Sequence, residues 1–360
     1  MKRRNFLKLA TAGAAAAAII RNQAQAATET QADAAPATAG TFGPPPETID
    51  EGGMKYRILG TTNEKVSIVG IGGYHLAREG FSGPSTEDAI RIVRTGIDAG
   101  VNFCDNCWDY NKGESEIRLG KALKDGYRNR AFVMTKIDGR TSEAAMGQLE
   151  TSLTRLQVDH IDLLQFHEII RLDDPDRIFA KGGALEAMLR ARDQGKIRYI
   201  GFTGHKSPAI HAKMFEVAAQ HKFHFDTVQM PVNIMDAHFN SFQRTIFPIA
   251  ANQKTAVLAM KTFGDPYVLD AKVAEPIEML HYSMSQPVAV VITGCDKMEY
   301  LEQAIKAART YQPMTAEAQR ELLSRSEGAA LNGSTERYKV STHFDGTTQN
   351  PGWLTQAKPT

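Results

Sequence analysis

Eight short apolar runs recur along the chain at intervals of roughly 30 residues, and amphipathic stretches separate them. The runs centre near Val69, Phe103, Val133, Leu163, Gly201, Val228, Leu258 and Val290. Strand and helix patterns that alternate in this way form parallel sheets, because parallel neighbours need a long crossover between them. Eight such units close a barrel, so the pattern predicts an α/β fold of the (β/α)8 TIM-barrel type.

The expected helix boundaries agree with a barrel. Ser85 to Gly100 starts at a capping residue and stops at a glycine, and Ser142 to Leu156 places alanine and leucine on one face. A doubly wound open sheet is the main alternative. It would require a glycine-rich phosphate turn early in the chain, and residues 69–73 lack the glycine spacing of that turn.

Residues 1–26 have the features of a removable export signal. They carry five basic and no acidic residues, so the formal net charge of +1 for the whole chain becomes −4 without them. Arg3-Arg4 followed by Phe-Leu-Lys resembles a twin-arginine signal, and small residues precede a cleavage site near Ala26. The alanine-rich run is too short for a stable membrane span. We therefore expect export to the periplasm by the twin-arginine machinery, with an uncleaved anchor or a chance basic terminus as alternatives.

The rest of the chain divides into three segments. Residues 27–53 are rich in Ala, Thr, Pro and Gly without an apolar period, which predicts a disordered linker. The barrel is expected over residues 54–331. Residues 332–360 hold few aliphatic side chains, so this tail either covers the barrel mouth or is disordered. No basic patch remains that would indicate nucleic-acid binding.

Four proton-handling side chains stand where three successive strands end. Asp105 and Tyr110 follow the run around Phe103, Lys136 ends the next run, and His167 ends the one after it. The carboxyl ends of the strands are where a parallel barrel gathers its active site. The pattern therefore predicts that these four side chains converge.

These residues, together with Ser115-Glu116 and residues 200–203, resemble the aldo-keto reductases, whose catalytic tetrad is Asp, Tyr, Lys and His in this order. The resemblance begins at residues 54–60, which look like the family's opening β-hairpin, and continues to about Arg309. It implies an NAD(P)-dependent oxidoreductase that interconverts a small-molecule carbonyl (an aldehyde, ketone or sugar carbonyl) and its alcohol. The alternative is a dinucleotide-binding sensor or regulatory subunit on the same fold.

The four side chains suit carbonyl reduction, because hydride transfer leaves an alkoxide that needs a nearby proton donor. Tyr110 fits that role if its pKa falls from about 10 toward neutrality. The Lys136 ammonium would stabilise the phenolate, and Asp105 would keep that lysine charged and oriented. His167 would share the proton or orient the carbonyl oxygen. Each residue alone is more often structural, and the register of all four favours the catalytic interpretation.

The resemblance also implies positions that hold the nicotinamide. Thr203, Gly204 and His205 stand at the end of the fifth strand, where the family usually has a Ser-Asn pair on the carboxamide. Thr203 supplies the hydroxyl, but Gly204 cannot supply the amide. Gln229 matches the family's carboxamide-binding glutamine. Met260 replaces an aromatic residue that commonly stacks on the nicotinamide, and its polarizable sulfur can still pack on a ring.

The remaining cofactor positions concern the phosphates and the adenosine. Lys261 is a candidate phosphate contact, and the segment from Gly294 through Lys297 to Tyr300 resembles the family's adenosine-binding segment. Members that prefer the 2′-phosphate usually carry arginine at the position of Tyr300. Only Lys297 is basic in this segment, so NADP is expected from the family's habit while NAD stays open.

Cys104 and Cys107 form a Cys-x-x-Cys sequence around Asp105, but strand alternation would put Cys104 and Asp105 on opposite faces. We therefore do not expect a redox pair, and no spacing of His, Cys and carboxylate residues indicates a metal site.

Twin-arginine export carries folded proteins, and the nicotinamide pool is cytoplasmic. An exported reductase is therefore expected to hold its cofactor tightly and to recycle it in place.

Overall fold

The structure is a computed structural model that describes residues 42–78 and 83–357. The predicted signal peptide at residues 1–26 and residues 27–41 of the predicted linker lie outside the described residues. Within the two described ranges, no helix combines the length and the apolar character that crossing a bilayer requires.

A three-stranded antiparallel sheet precedes the barrel, formed by β1 (Ile49–Glu51), β2 (Met54–Ile58) and β3 (Lys65–Ser67). The linker prediction is wrong for residues 49–53, because β1 pairs with β2 although its side chains are exposed. Arg57 of β2 donates to the carbonyl oxygens of Val288 and Met284 at 2.7 and 2.8 Å, just before the last barrel strand. The expected hairpin therefore has a third strand and covers the amino-terminal end of the barrel.

Eight parallel strands close into a barrel, which confirms the predicted (β/α)8 fold. They are β4 (Val69–Gly72), β5 (Phe103–Asp105), β6 (Phe132–Ile137), β7 (Ile161–Phe166), β8 (Ile197–Thr203), β9 (Thr227–Pro231), β10 (Ala256–Met260) and β11 (Val290–Gly294). Each strand pairs with the next in chain order, and β11 returns to β4. All eight predicted strand centres lie within these strands.

Helices alternate with the strands on the outside of the barrel. They are α1 (Thr86–Asp98), α2 (Glu114–Ala122), α3 (Ser142–Leu156), α4 (Asp174–Phe179), α5 (Ala184–Asp193), α6 (Pro208–Gln220), α7 (Phe242–Gln253), α8 (Tyr267–Asp270), α9 (Pro276–Met284), α10 (Met298–Thr310), α11 (Ala316–Ala330), α12 (Arg337–Val340) and α13 (Gly346–Gln349). The two helices predicted from their boundaries are confirmed as α1 and α3. Both begin at a hydroxyl cap, where Ser85 and Thr141 accept backbone N–H bonds.

The barrel interior is divided between apolar and polar side chains. A buried cluster that includes Phe103, Phe132, Leu163 and Leu258 fills the barrel, and the Phe103 and Phe132 rings stack at 5.2 Å. Buried Asp105 and Lys136 lie further along two of these strands, at their carboxyl ends. The apolar cluster therefore closes the barrel from below and leaves the carboxyl-terminal mouth for chemistry.

Candidate active site

Asp105, Lys136 and Tyr110 form one connected group at the mouth of the barrel. The Lys136 ammonium donates to Asp105 Oδ1, to the Asn106 carbonyl oxygen at 2.7 Å and to the Tyr110 hydroxyl at 3.2 Å. Lys136 is 1% exposed, so these three acceptors replace its water. Since the lysine already donates to the phenol oxygen, the phenol proton is left free for a carbonyl oxygen.

Side chains of α2 and α3 fix the loop that carries Tyr110. Arg155 donates to the Trp108 carbonyl oxygen at 2.5 Å, and its guanidinium lies 3.5 Å from the buried carboxylate of Glu116. The other carboxylate oxygen of Glu116 accepts a hydrogen bond from Thr135 on β6 at 2.6 Å. The Ser115-Glu116 motif thus links the Tyr110 loop to the strand that carries Lys136.

His167 lies beside Tyr110, with the two rings edge to face at 5.9 Å. Its Nδ1 is 3.0 Å from Asp138 Oδ1, 3.3 Å from Cys107 Sγ and 3.7 Å from Asp109 Oδ1. Burial opposes a charge on the imidazole, but the Asp138 and Asp109 carboxylates outweigh it and raise the pKa of His167. Burial and the Asp138 charge raise the pKa of Asp109 to about 7.

Arg140 fixes the loops that present Asp138 and His167. Its buried guanidinium donates to the carbonyl oxygens of Asp138 at 2.7 Å and His167 at 2.8 Å, and to Asp174 Oδ1 at 3.0 Å. A planar guanidinium with several donors can hold two loops at once, which a lysine cannot do. Arg140 is not among the residues predicted from the sequence, although its place four residues after Lys136 puts it just past the same strand end.

The expectation of a lowered pKa for Tyr110 is wrong. Burial, followed by the charge of Asp105, raises the pKa of this phenol well above its usual value. The Lys136 charge does not reverse this, because Asp105 is bonded to the same ammonium. The phenol therefore stays protonated at neutral pH, which suits a proton donor.

Three of the predicted nicotinamide contacts lie close to the tetrad. Gln229 donates from Nε2 to Asp105 Oδ2 at 2.9 Å, while its buried Oε1 receives no hydrogen bond from any residue that the structure describes. Thr203 Oγ1 lies 4.0 Å from the Met260 sulfur. A buried amide oxygen without a donor, beside a hydroxyl and a thioether, fits the carboxamide of a nicotinamide.

Gly204 and His205 have other roles than the sequence analysis expected. A Cβ at Gly204 would lie 2.5 Å from the Ile169 carbonyl oxygen and 2.8 Å from the His211 ring, so no side chain fits there. His205 Nε2 lies 3.1 Å from Asp345 Oδ1 of the tail, and burial lowers the pKa of this imidazole. His205 therefore holds the tail rather than standing open at the mouth.

The other predicted cofactor residues are spread over the mouth and its rim. The Lys261 ammonium lies 5.1 Å from the ring centres of both Tyr338 and Phe344, and burial lowers its pKa. A Cβ at Gly294 would lie 2.2 Å from the His75 ring, so a side chain here would require that ring to move.

Lys297 and Tyr300 lie apart from the tetrad, at the start of α10. Both are exposed, and the Lys297 ammonium is 5.6 Å from the centre of the Tyr300 ring. The structure therefore brings the predicted nicotinamide contacts together and leaves these two at the surface.

The tail from α12 to residue 357 folds over the mouth instead of extending away. Glu168, directly after His167, accepts the backbone N–H groups of Gly346 and Thr347 at 2.7 Å each. The Trp353 ring lies edge to face on Trp108 at 5.6 Å, next to the Tyr110 loop. The sequence left open whether residues 332–360 cover the barrel mouth or are disordered. The described part of this tail covers the mouth and contacts the site.

The expectation of no metal site stays a prediction, but the closed barrel brings four possible donor residues together beside the tetrad. Cys107, Asp109, Asp138 and His167 bring donor atoms within 4.8 Å of one another. Their spacing of 2, 29 and 29 residues fits no local metal motif, because the three strand ends meet only in the closed barrel. A search for carboxylates, thiols and imidazoles just after each strand would have found all four.

A model of the aldo/keto reductase family matches residues 68–279. Aldo-keto reductase YhdN of Bacillus subtilis (strain 168) is 27% identical over 216 residues, which cover 57% of this chain and 61% of that protein. L-galactose dehydrogenase of Arabidopsis thaliana is 34% identical over 160 residues, 42% of this chain and 49% of that protein. The matched part thus spans less than two thirds of either relative.

Solved structures share the barrel at low sequence identity. Aldo-keto reductase AKR11C1 from Bacillus halodurans, in its holo form, superposes with a TM-score of 0.62 at 22% identity, covering 79% of this chain and 99% of that one. An aldo/keto reductase from Klebsiella pneumoniae in complex with NADP and acetate gives a TM-score of 0.60 at 19% identity, covering 75% and 95%. At these identities the likeness establishes the fold.

Proposed function

The chain belongs to the aldo/keto reductase family, and from this premise we propose that it interconverts a carbonyl and its alcohol by hydride transfer, with Tyr110 as the general acid and base. The observation that carries the proposal is the 3.2 Å hydrogen bond from the Lys136 ammonium to the Tyr110 hydroxyl. In reduction, Tyr110 donates its proton to the developing alkoxide, and the lysine stabilises the phenolate that remains. In oxidation the same phenolate takes the alcohol proton.

We propose a nicotinamide dinucleotide as the hydride carrier, NADP before NAD. The buried Oε1 of Gln229 offers an acceptor for a carboxamide N–H, and Thr203 adds a hydroxyl beside it. Lys261 places a cation in the mouth for phosphate groups. When bound, the dinucleotide supplies or accepts the hydride. The Klebsiella pneumoniae structure that contains NADP supports this order of preference.

The test of this proposal is Tyr110→Phe, which removes only the hydroxyl. Reduction of aldehydes, ketones and keto-sugars should fall by about 10²–10⁴-fold while cofactor affinity stays nearly constant. Oxidation of L-galactose belongs in the panel because one relative is an L-galactose dehydrogenase. Tyr127→Phe, at a half-buried tyrosine whose hydroxyl donates to Asp98, is the matched control. Activity above about a tenth of wild type in Tyr110→Phe would exclude Tyr110 as the acid, whereas cofactor binding without any turnover by wild type would favour a sensor.

We further propose that residues 1–26 direct twin-arginine export and that the folded protein carries its cofactor to the periplasm. The basic Arg3-Arg4 pair supports the first part, and the tail over the mouth supports slow cofactor release, because Glu168 and His205 both hold it. Full-length protein purified from a periplasmic fraction without added nucleotide, then denatured, should release close to one dinucleotide per chain. An empty protein with rapidly exchanging cofactor would refute tight retention, and cytoplasmic protein would refute export.

A further inference from the structure

Cys107, Asp109, Asp138 and His167 form a compact group of donor atoms beside the tetrad, which we call the four-donor cluster. The side chains come from the loops after β5, β6 and β7. A thiol, two carboxylates and an imidazole are the donor types that transition-metal sites use. Outside this cluster, the described ranges hold no other group of three or more such residues at comparable spacing.

The separations within the cluster match the edges of a tetrahedral site. From His167 Nδ1, Asp138 Oδ1 is 3.0 Å away, Cys107 Sγ is 3.3 Å away and Asp109 Oδ1 is 3.7 Å away. Zinc bonds of about 2.0 Å to nitrogen or oxygen and about 2.3 Å to sulfur imply edges of about 3.3–3.6 Å. The three separations from the imidazole nitrogen are thus within a few tenths of an ångström of tetrahedral edges, and all four donor atoms lie within 4.8 Å of one another.

The buried Asp109 Oδ1 lies against other members of the cluster. Among the described residues, no N–H or O–H group donates to this oxygen, and the Asp109 carboxylate interacts with the Cys107 thiol and the His167 ring. A buried carboxylate oxygen without a donor is costly unless a cation or a hydrogen bond compensates its charge. The Asp109 side chain keeps 13% of its surface exposed, which leaves an entry path from the mouth.

The groups behind the cluster fix the orientation of its ligands. The Trp108 indole N–H donates to Asp138 Oδ2, so the Oδ1 atom is turned toward His167. Arg140 holds the backbone carbonyl oxygens of Asp138 and His167. Such outer hydrogen bonds are the usual support of metal ligands.

We propose that the four-donor cluster binds one divalent transition-metal ion, with Zn²⁺ preferred because one sulfur, one nitrogen and two oxygens suit a tetrahedral zinc site. Binding displaces the Cys107 thiol proton, and any proton on His167 Nδ1, to solvent. The ion would also fix which ring nitrogen of His167 faces the mouth, since Nδ1 is occupied. Its role toward His167 is that of a positioning group.

The experiment uses the untagged full-length chain, treated with chelator and then titrated with Co²⁺ under reducing conditions. Co²⁺ in a tetrahedral site with one thiolate shows visible d–d bands and a near-ultraviolet sulfur-to-metal band. We expect one equivalent to bind with both signals, and Zn²⁺ to displace it. Cys107→Ser should lose the sulfur band, and Asp109→Asn should weaken binding by at least about tenfold.

Asp159→Asn is the matched control, because Asp159 forms a carboxylate–histidine pair with His160 at 2.7 Å on the exposed surface. It should bind Co²⁺ as wild type does. If Cys107→Ser fails to fold by circular dichroism, Asp109→Asn decides, since that swap conserves shape at the edge of the cluster. Absence of Co²⁺ and Zn²⁺ binding at micromolar concentrations, or binding that neither cluster variant changes, would overturn the proposal. These readouts do not depend on catalytic activity.

Discussion

His211 should make the folded protein sensitive to mild acid. This histidine of α6 is fully buried between the rings of Phe202 and Phe242, at 5.1 and 5.0 Å. Its Nε2 lies 3.5 Å from the Gln229 carbonyl oxygen, and its buried Nδ1 has no hydrogen-bond partner among the residues described. Burial, with a smaller effect of the nearby His205 charge, lowers the pKa of His211 from 6.5 to about 3.

The lowered pKa sets the sign and the size of the effect. The unfolded chain takes up a proton on this residue as the pH falls below 6.5, whereas the folded chain does so only near pH 3. The free energy of unfolding therefore falls with acidification through this window. At about 1.4 kcal/mol for each pH unit, this one histidine costs about 2 kcal/mol of stability at pH 5 relative to pH 7.5.

The perturbation is His211→Phe, which keeps a flat ring between the two phenylalanines and removes the titrating group. Urea unfolding at pH 7.5 and pH 5 should show that the variant loses about 2 kcal/mol less stability than wild type on acidification. His224→Gln, at an exposed histidine, should behave as wild type. If wild type and His211→Phe lose equal stability on acidification, or if NMR shows that His211 titrates near its usual pKa, then burial does not lower the pKa of this histidine.

Three further predictions concern the site. Lys136→Met should lower activity nearly as much as Tyr110→Phe does. In steady-state kinetics the double variant should be little worse than either single variant, because the two side chains act as one hydrogen-bonded unit. An activity loss in the double variant equal to the product of the two single losses would contradict this. Arg140→Met should lower the free energy of unfolding by up to about 3–5 kcal/mol, since it removes the only partner of the buried Asp174 Oδ1 within the described residues, while Oδ2 keeps the N–H groups of residues 170 and 171; adding Asp174→Asn should recover part of the loss in urea melts. Because the pKa of Tyr110 is raised, alcohol oxidation should still increase with pH at about 10, the ordinary tyrosine pKa, while reduction stays flat near neutrality, and pH–rate profiles without this divergence would refute the assignment.

The sequence by itself determined the fold and four candidate catalytic residues. Apolar runs around Phe103, Val133 and Leu163 recur at strand–helix spacing, and the barrel confirms every predicted strand centre. Asp105, Lys136 and His167 could be picked out because each stands at or directly after the carboxyl end of a strand. Both signals are local in the chain, and parallel topology then places all strand ends on one side. No contact between distant residues had to be known.

The tertiary structure alone decided the environment of those residues. The raised pKa of Tyr110 depends on its burial and on carboxylates that only the closed barrel brings near. The tail reaches the mouth through bonds such as that from Thr347 to Glu168, which are 179 residues apart. The four-donor cluster likewise unites three loops. No local pattern records such pairings, because the free energy of a buried charge depends on every group around it, wherever that group stands in the chain.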